Sequence, residues 1–288
     1  MKNETQLERY KNLLDFIDQS FKEDINIQKV ERVCHYSYRN INRIFQALHN
    51  QTIGKYIKRL RLEKAAEYLK YSDITVSKIA YQIGFSDVSA FSKAFKNRFH
   101  LSPKTFRERQ DAKANSMKRE ILSQENSADL IDYKIEILPD LEILYLEYRG
   151  AYNNLAAINR SWEQLIDYIK PKGILTDNTI FLAEILDDNE ISDEVNCRYN
   201  AAIVLEKPLE FEPDGLFRTK QIKRHKYTKF IHQGKHEASW ETYQKIYACW
   251  LTEINFSLAD LPTLEFYLND ESDTRAEDLI TEIYIPIQ

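Results

Sequence analysis

The most constraining feature of the sequence is residues 75–103, TVSKIAYQIGFSDVSAFSKAFKNRFHLSP, which predict two short helices joined by a sharp turn. Thr75 and Ser86 are suited to cap the N-termini of the two helices. Gly84 can adopt the left-handed conformation that ends the first one. The apolar residues at helical spacing are Val76, Ile79, Ala80 and Ile83 in the first helix and Phe91, Ala94 and Phe95 in the second. This pattern predicts a helix-turn-helix with its recognition helix second, although an ordinary helical hairpin of a larger core has the same pattern.

Residues 27–50, IQKVERVCHYSYRNINRIFQALHN, repeat this pattern. A first helix is expected to end near His35, and Ser37 is the expected N-cap of a second helix. The residues expected to face inward in that second helix are Ile41, Ile44, Phe45 and Leu48. Between the two hairpins, residues 52–70 predict a long core helix, which could hold two recognition helices about 34 Å apart on one face of DNA.

Small, amide-bearing and basic side chains occupy the predicted outward faces. Arg, Asn and Gln can make bidentate contacts to guanine or adenine edges, and Lys contacts phosphates. The predicted DNA-binding residues are Tyr38, Arg39, Asn40, Asn42, Arg43 and Gln46 in the first hairpin, Lys58 and Arg59 on the long helix, and Val88, Ser89, Ala90, Lys93 and Lys96 in the second hairpin.

The charge distribution supports DNA binding by the N-terminal half only. Residues 1–120 contain 24 Lys and Arg against 14 Asp and Glu, whereas residues 121–288 contain 16 against 31. A basic half attracts a polyanion and an acidic half repels it. The three cysteines are scattered, and the sequence has neither a signal-peptide core nor an apolar run long enough to cross a membrane. These features predict a cytoplasmic protein with no membrane partner.

Residues 10–108 resemble the DNA-binding domain of AraC/XylS-type transcription regulators, most specifically in IAYQIGFSDVSAFSKAFKNRFHLSPKTFR. The resemblance implies two recognition helices in successive major grooves, with Arg39 and Arg43 in the first. Two departures affect this expectation. His35 stands where the family usually has Gly, which implies a strained or reshaped first turn. Val88 and Ala90 replace commonly polar residues, which implies phosphate and methyl contacts rather than hydrogen-bonded base reading by the second helix.

The polar residues 111–129 predict a linker between a DNA-binding domain, residues 1–110, and a second domain, residues 130–288. The pattern of the second domain changes to strands and predicts an α+β fold. Two strand-helix-strand-strand units are expected to be related by a pseudo-two-fold axis, with Gly150 and Gly234 at equivalent places before the helices. A groove between such halves is a natural ligand site.

Residues 131–288 resemble GyrI-like effector-binding domains, also found in multidrug-sensing regulators, in RGAYNN, CRYNAAIVL, QGKH, LEFYLND and TEIYIPI. The resemblance implies that the acidic residue of the penultimate strand, Glu265 here, faces a bound cationic or amphipathic molecule.

The residues themselves support this role for Glu265. Alternation along 264–268 puts Glu265 and Tyr267 on the same face of their strand. A carboxylate among aromatic rings is costly to bury unless a cation pairs with it. The candidate aromatic walls are Tyr152, Trp162, Tyr199, Trp250 and Tyr267. The alternative is that Glu265 faces water on an open sheet and these aromatic residues belong to the core.

The sequence therefore predicts a two-domain protein with an all-α double helix-turn-helix domain followed by an α+β domain. The predicted function is that of a one-component transcription regulator, and more specifically an activator. Its predicted partners are duplex DNA, a small-molecule effector and RNA polymerase. No cofactor, metal-ligand set or catalytic residue is predicted. The alternative is a GyrI-like hydrolase fused to a DNA-binding domain, because some proteins with a similar pocket are hydrolases.

Overall fold

The computed structural model of the chain describes residues 5–124, 131–251, 257–270 and 273–288. The chain forms two compact units, Met1–Asp111 and Ala112–Gln288. Within the described ranges, none of the helices has the length and apolar character needed to cross a lipid bilayer.

The first unit is all-helical. Its helices are α1 (Gln6–Ser20), α2 (Ile27–Cys34), α3 (Tyr38–His49), α4 (Ile53–Tyr71), α5 (Val76–Gln82), α6 (Val88–Phe99) and α7 (Pro103–Gln124). Helices α2 and α3 form the first hairpin and α5 and α6 the second, with α4 between them in sequence. Helix α7 continues beyond the first unit, so the described part of the predicted linker is helical. Its composition, free of Pro and Gly, permits this. Residues 125–129 of that linker lie outside the described residues.

The hairpin cores follow the predicted apolar stripes with one exception. Ile41 and Phe45 of α3 are buried, but the side chain of Leu48 is 62% exposed. The prediction that Leu48 faces inward is wrong, because the inward stripe continues from Phe45 to His49, four residues later. The His49 ring stacks on Phe45 with 4.3 Å between ring centroids.

The turns of the two hairpins differ in detail. Gly84 has φ +83°, and a Cβ atom there would lie 2.3 Å from the carbonyl oxygen of Lys22, so this turn requires glycine. In the first hairpin, His35 itself adopts the left-handed conformation with φ 51°. The N-cap of α6 is Asp87 rather than the predicted Ser86, because the Asp87 carboxylate accepts a hydrogen bond from the amide of Ala90 at 2.6 Å.

The second unit is an eight-stranded antiparallel sheet with helices on one face. The strands are β1 (Lys134–Leu138), β2 (Leu141–Arg149), β3 (Phe181–Ile185), β4 (Arg198–Val204), β5 (Phe217–Ile222), β6 (His225–Gln233), β7 (Thr263–Tyr267) and β8 (Ile280–Pro286). Helix α8 (Leu155–Ile169) follows β2, and helix α9 (Ser239–Lys245) follows β6 and continues into a π-helical turn, Ile246–Trp250. The sequence predicts a helix from about Trp240 to Thr252 in this region, and Thr252 lies outside the described residues.

The strand order is β1-β6-β8-β7-β3-β4-β2-β5, which is symmetric about the β7–β3 pair. The two predicted units are β2-α8-β3-β4 and β6-α9-β7-β8, and the predicted fold class is confirmed. Each unit is preceded by a further strand that pairs with the other unit: β1 pairs with β6, and β5 pairs with β2. This exchange places β1 and β5 at the two edges of the sheet.

Candidate functional site

Helix α3 exposes a row of hydrogen-bonding side chains, Arg39, Asn40, Arg43 and Gln46. Two other predicted DNA contacts on α3 have structural roles. The side-chain oxygen of Asn42 accepts a hydrogen bond from the backbone amide of Ile53 at 3.0 Å, and therefore caps the start of α4. The ring of Tyr38 is half-buried against the core of the first hairpin. The exposed row of four residues is the part of α3 that could reach base edges.

Arg59 is not on an exposed basic flank, and its prediction as a DNA contact needs correction. Its side chain is buried, and its Nη1 atom donates a hydrogen bond to the Glu63 carboxylate at 2.6 Å. Arg98 of α6 contacts the other carboxylate oxygen of Glu63 at 3.2 Å. Arg59 and Glu63 lie four residues apart on the buried stripe of α4. The contact between Glu63 and Arg98 then joins α4 to α6. Lys58, by contrast, is exposed.

Helix α6 offers a smaller and simpler surface. Ser89, Ala90, Lys93 and Lys96 are exposed, whereas Val88 is half-buried. The exposed side chains can contact phosphates through two ammonium groups and thymine methyl groups through Ala90. The two recognition helices therefore differ in chemistry: α3 carries arginines and amides, and α6 carries lysines and small residues.

In the second unit, Glu265 on β7 lies on the helix-covered face and is only 7% exposed. Its two carboxylate oxygens accept hydrogen bonds from the phenolic hydroxyls of Tyr243 and Tyr267, each at 2.7 Å. Among the residues that the structure describes, no Lys, Arg or His forms an ion pair with this carboxylate. Glu265 is thus a buried carboxylate whose protein partners are neutral, an arrangement that a bound cation would complete.

The donors to Glu265 extend into a chain of aromatic side chains. The indole Nε1 of Trp162 donates to the Tyr199 hydroxyl at 2.9 Å, and the hydroxyls of Tyr199 and Tyr267 are 3.1 Å apart. An indole N–H can only donate, so Tyr199 accepts from Trp162 and its own proton is directed to Tyr267. Tyr267 in turn donates to Glu265. The hydroxyl protons of Tyr199, Tyr267 and Tyr243 therefore all point toward the Glu265 carboxylate.

Burial and the neighbouring Glu265 carboxylate make these phenols weaker acids than a free tyrosine. Burial, and next the charge of Glu265, raise the pKa of Tyr243 and of Tyr267 well above the usual 10. The same two causes raise the pKa of Tyr199. All three hydroxyls therefore remain protonated throughout the neutral pH range, and Glu265 keeps its donors.

The other predicted wall residues have different positions. Trp162 packs edge-on against the ring of Tyr267, with centroids 5.6 Å apart, and belongs to the site. The hydroxyl of Tyr152 donates to the backbone oxygens of Asp187 and Arg198, so only its ring remains to line a site near Tyr243. Trp250 is core and its prediction as a wall is wrong. It is 3% exposed, and its ring packs edge-on against Phe230 with centroids 4.9 Å apart, in an apolar cluster with residues of β8.

Two residues near Glu265 escaped the sequence-based prediction. Tyr243 comes from α9, and the His236 ring lies edge-on to Tyr267 with centroids 4.8 Å apart. The imidazole Nδ1 of His236 is within 2.8 Å of the Thr281 hydroxyl. The pseudo-symmetry could have indicated Tyr243. Helix α9 is the counterpart of α8 in the second repeat, and α8 contributes Trp162 to the same site.

The aromatic chain gives a first testable prediction. Tyr199→Phe removes the shared partner of Trp162 Nε1 and Tyr267, and should lower the free energy of unfolding of the second unit by about 1–2 kcal/mol. All three tryptophans, Trp162, Trp240 and Trp250, lie in this unit, so urea unfolding followed by tryptophan fluorescence is the appropriate measurement. Tyr133→Phe, at a half-exposed tyrosine, is the control and should change the value by less than about 0.5 kcal/mol.

The geometry defines a class: a protein with two helix-turn-helix hairpins and a separate unit that encloses a carboxylate in aromatic residues. Comparison with known families agrees. Residues 131–288 match the model of the GyrI-like small molecule binding domain, and residues 31–109 match a helix-turn-helix domain model. The chain belongs to the GyrI-like small molecule binding domain family, and it carries an AraC-type helix-turn-helix region at its N-terminal end.

Individual relatives match parts of the chain. The HTH-type transcriptional activator RhaS of Escherichia coli O139:H28 is 33% identical over 108 residues, which are 38% of this chain and 39% of RhaS. RhaS of Enterobacter sp. strain 638 is 34% identical over 104 residues, 36% of this chain and 37% of that protein. This chain thus spans well under half the length of these curated relatives. Among solved structures, EcmrR in a complex with DNA matches 91% of this chain and 98% of its own at 13% identity, with a TM-score of 0.46.

Proposed function

We propose that this protein is a transcription regulator, and an activator, that binds duplex DNA with α3 and α6 and senses a cationic or amphipathic small molecule at Glu265. The contrast between the two units carries the proposal. One exposes cationic side chains on two recognition helices, and the other buries a carboxylate whose described partners are neutral phenols. Such a protein would act in the cytoplasm, where it meets DNA.

The DNA-binding part of the proposal rests on the different chemistry of the two recognition helices. The arginines and amides of α3 are suited to read bases, and the lysines and small residues of α6 are suited to hold the backbone. Since activation requires contact with the transcription machinery, RNA polymerase is the third partner that we propose. The direction of regulation is supported by the similarity to RhaS, which is described as an activator.

A pair of substitutions tests the role of α3. Arg43→Ala should weaken operator binding by about 1–3 kcal/mol and relax sequence preference at one base pair. Lys58→Ala should instead weaken binding to all sequences alike and reduce the slope of log K against log salt by about 1. Fluorescence anisotropy with the operator and with a scrambled duplex, each at two or more salt concentrations, separates these effects. An unchanged operator affinity for Arg43→Ala at fixed salt would show that α3 does not read bases as proposed.

The sensing part of the proposal is tested by coupling. A ligand that binds at Glu265 should change the affinity of the full chain for its promoter, or the transcription from that promoter, in a concentration-dependent way. We suggest a titration with benzyltrimethylammonium as the probe, because quaternary ammonium groups bind aromatic cages. If cations bind at Glu265 but change neither DNA affinity nor transcription, the second unit is not a sensor.

The hydrolase alternative makes a different prediction for the same residue. If Glu265 acted as an acid or base, Glu265→Gln would abolish turnover of a reactive ester, whereas in a sensor it would weaken cation binding and leave DNA binding without ligand intact. Measuring both in the same preparations distinguishes the two functions.

A further inference from the structure

The edge strand β1 exposes an apolar stripe. Ile135 and Ile137 alternate along the strand, and Tyr133 directly precedes it; the three side chains are 45%, 57% and 48% exposed. They lie on the face that also carries the α9 helix, since Ile135 is registered with Thr228 and the ring of Tyr133 contacts Phe230. In the described part of the sheet, β1 has a strand neighbour, β6, on one side only. An open edge with exposed aliphatic residues is a template for pairing with another strand.

The pseudo-symmetric edge strand, β5, lacks this stripe. The last residue of β1, Leu138, pairs with the first residue of β6, and the last residue of β5, Ile222, pairs with the first residue of β2. Counting back from these ends, Thr219 and Gln221 of β5 correspond to Ile135 and Ile137 of β1, and both are exposed. The ring of Phe217, which corresponds to Tyr133, is covered by Tyr168 at 3.8 Å between centroids. One edge is therefore polar or covered, and the other is apolar and open.

The residues of β1 are complementary to a second copy of β1 in antiparallel orientation. If two such strands pair about Ile135, each Ile135 faces the other, Tyr133 faces Ile137, and Lys134 faces Glu136. The apolar side chains then share one face and the two pairs of opposite charges share the other. Cross-strand pairs of both kinds stabilise antiparallel sheets.

The charges within one copy favour the same arrangement. Lys134 lies directly opposite Lys229 in the β1–β6 register, a like-charge pair that is unfavourable. The ammonium of Lys229 is itself shared between Glu136 at 2.9 Å and Glu282 at 3.1 Å. Lys134 already interacts favourably with Glu136 of its own strand, and a carboxylate from a second copy on the open side of β1 would add to this compensation. Glu136 of that copy falls at this place.

We propose that this protein forms a homodimer in which β1 of one copy pairs antiparallel with β1 of the other about Ile135. The two sheets then become one continuous sheet through the interface. The occupant of the apolar edge is thus a second copy of the chain, identified by the mirrored order of apolar and charged residues in 133–137.

Charge reversal tests this proposal sharply. Lys134→Glu would place like charges at two equivalent points of the interface and should raise the dimer dissociation constant by about tenfold or more. Within one copy, the same change places a carboxylate opposite Lys229, so the fold should not be weakened. The double variant Lys134→Glu, Glu136→Lys restores opposite charges across the interface and should recover the dimer. Within one copy it removes the Glu136–Lys229 ion pair and places a carboxylate at position 134, opposite Lys229. Gln221→Glu, on the exposed polar face of the other edge, is the matched control and should leave the dimer unchanged.

Sedimentation equilibrium measures the mass in solution of the full wild-type chain and of each variant. The expected result is a concentration-dependent dimer of the 34.2 kDa chain that Lys134→Glu weakens and the double variant restores. Far-UV circular dichroism melts confirm that each variant is folded. A folded wild-type chain that remains at the mass of one copy, or a dimer that Lys134→Glu leaves intact, would overturn the proposal.

Discussion

Glu265→Gln should weaken the binding of benzyltrimethylammonium to the full chain by about 100-fold, which corresponds to about 2.7 kcal/mol. The substitution keeps the size of the side chain and one of its two acceptor oxygens, so it can still accept a hydrogen bond from Tyr243 or from Tyr267. It removes the negative charge that Glu265 presents to a cation in the aromatic site. Because Glu265 is 7% exposed, solvent and salt screen its charge little. Removing the charge therefore removes most of the attraction between residue 265 and the bound cation. Isothermal titration calorimetry on the two proteins measures the difference.

Two controls separate charge recognition from apolar contact. Neopentylbenzene, in which carbon replaces the ammonium nitrogen of the probe, should bind the two proteins with similar affinity. Glu282→Gln, on the neighbouring strand but the opposite face of the sheet, should leave cation binding unchanged, since Glu282 interacts with Lys229. Equal cation affinity of the wild type and Glu265→Gln would show that Glu265 is not the recognition residue.

The position of Glu265 could be predicted from the sequence, but most of its environment could not. Alternation along one strand decides which face a residue occupies, and that is local information. The partners Tyr199 and Tyr243 come from β4 and α9, which meet β7 only through the strand order of the sheet. Trp250 was assigned to the site only as an aromatic residue, and composition does not distinguish a residue that packs on Phe230 from one that reaches Glu265, as Tyr243 does.

The helical unit shows the same limit in a different form. The apolar stripes of α3 and α6 predicted both hairpins, because a 3.6-residue period identifies the buried face. The roles of polar residues within them depend on neighbours far along the chain. Asn42 caps α4 through the amide of Ile53, and Arg59 pairs with Glu63 and, through it, with Arg98. A basic residue next to a predicted DNA-binding surface therefore contacts DNA only if no acidic residue of the protein already holds its side chain.

Glu63→Gln should lower the free energy of unfolding of the helical unit by about 2–3 kcal/mol. Removing one partner of a buried ion pair costs about 3–5 kcal/mol, and the partial exposure of Arg98 reduces this value. The substitution leaves the buried guanidinium of Arg59 without a compensating charge, and two of its nitrogen atoms already have no hydrogen-bond acceptor. The ring of Tyr56, 4.9 Å from the Arg59 guanidinium, offers weaker compensation.

The two units allow this effect to be located as well as measured. Urea unfolding followed by circular dichroism at a helix-sensitive wavelength reports chiefly on the first unit, whereas tryptophan fluorescence reports only on the second. Glu63→Gln should shift the first transition and leave the second in place. Glu108→Gln is the matched control, because Glu108 pairs with Lys104 four residues away on the surface, and an exposed pair of this kind contributes less than about 0.5 kcal/mol. If Glu63→Gln left the first transition unchanged, the buried Arg59–Glu63 pair would not support the fold. A loss of operator affinity in Arg59→Ala without any loss of stability would show that Arg59 contacts DNA, as predicted from the sequence.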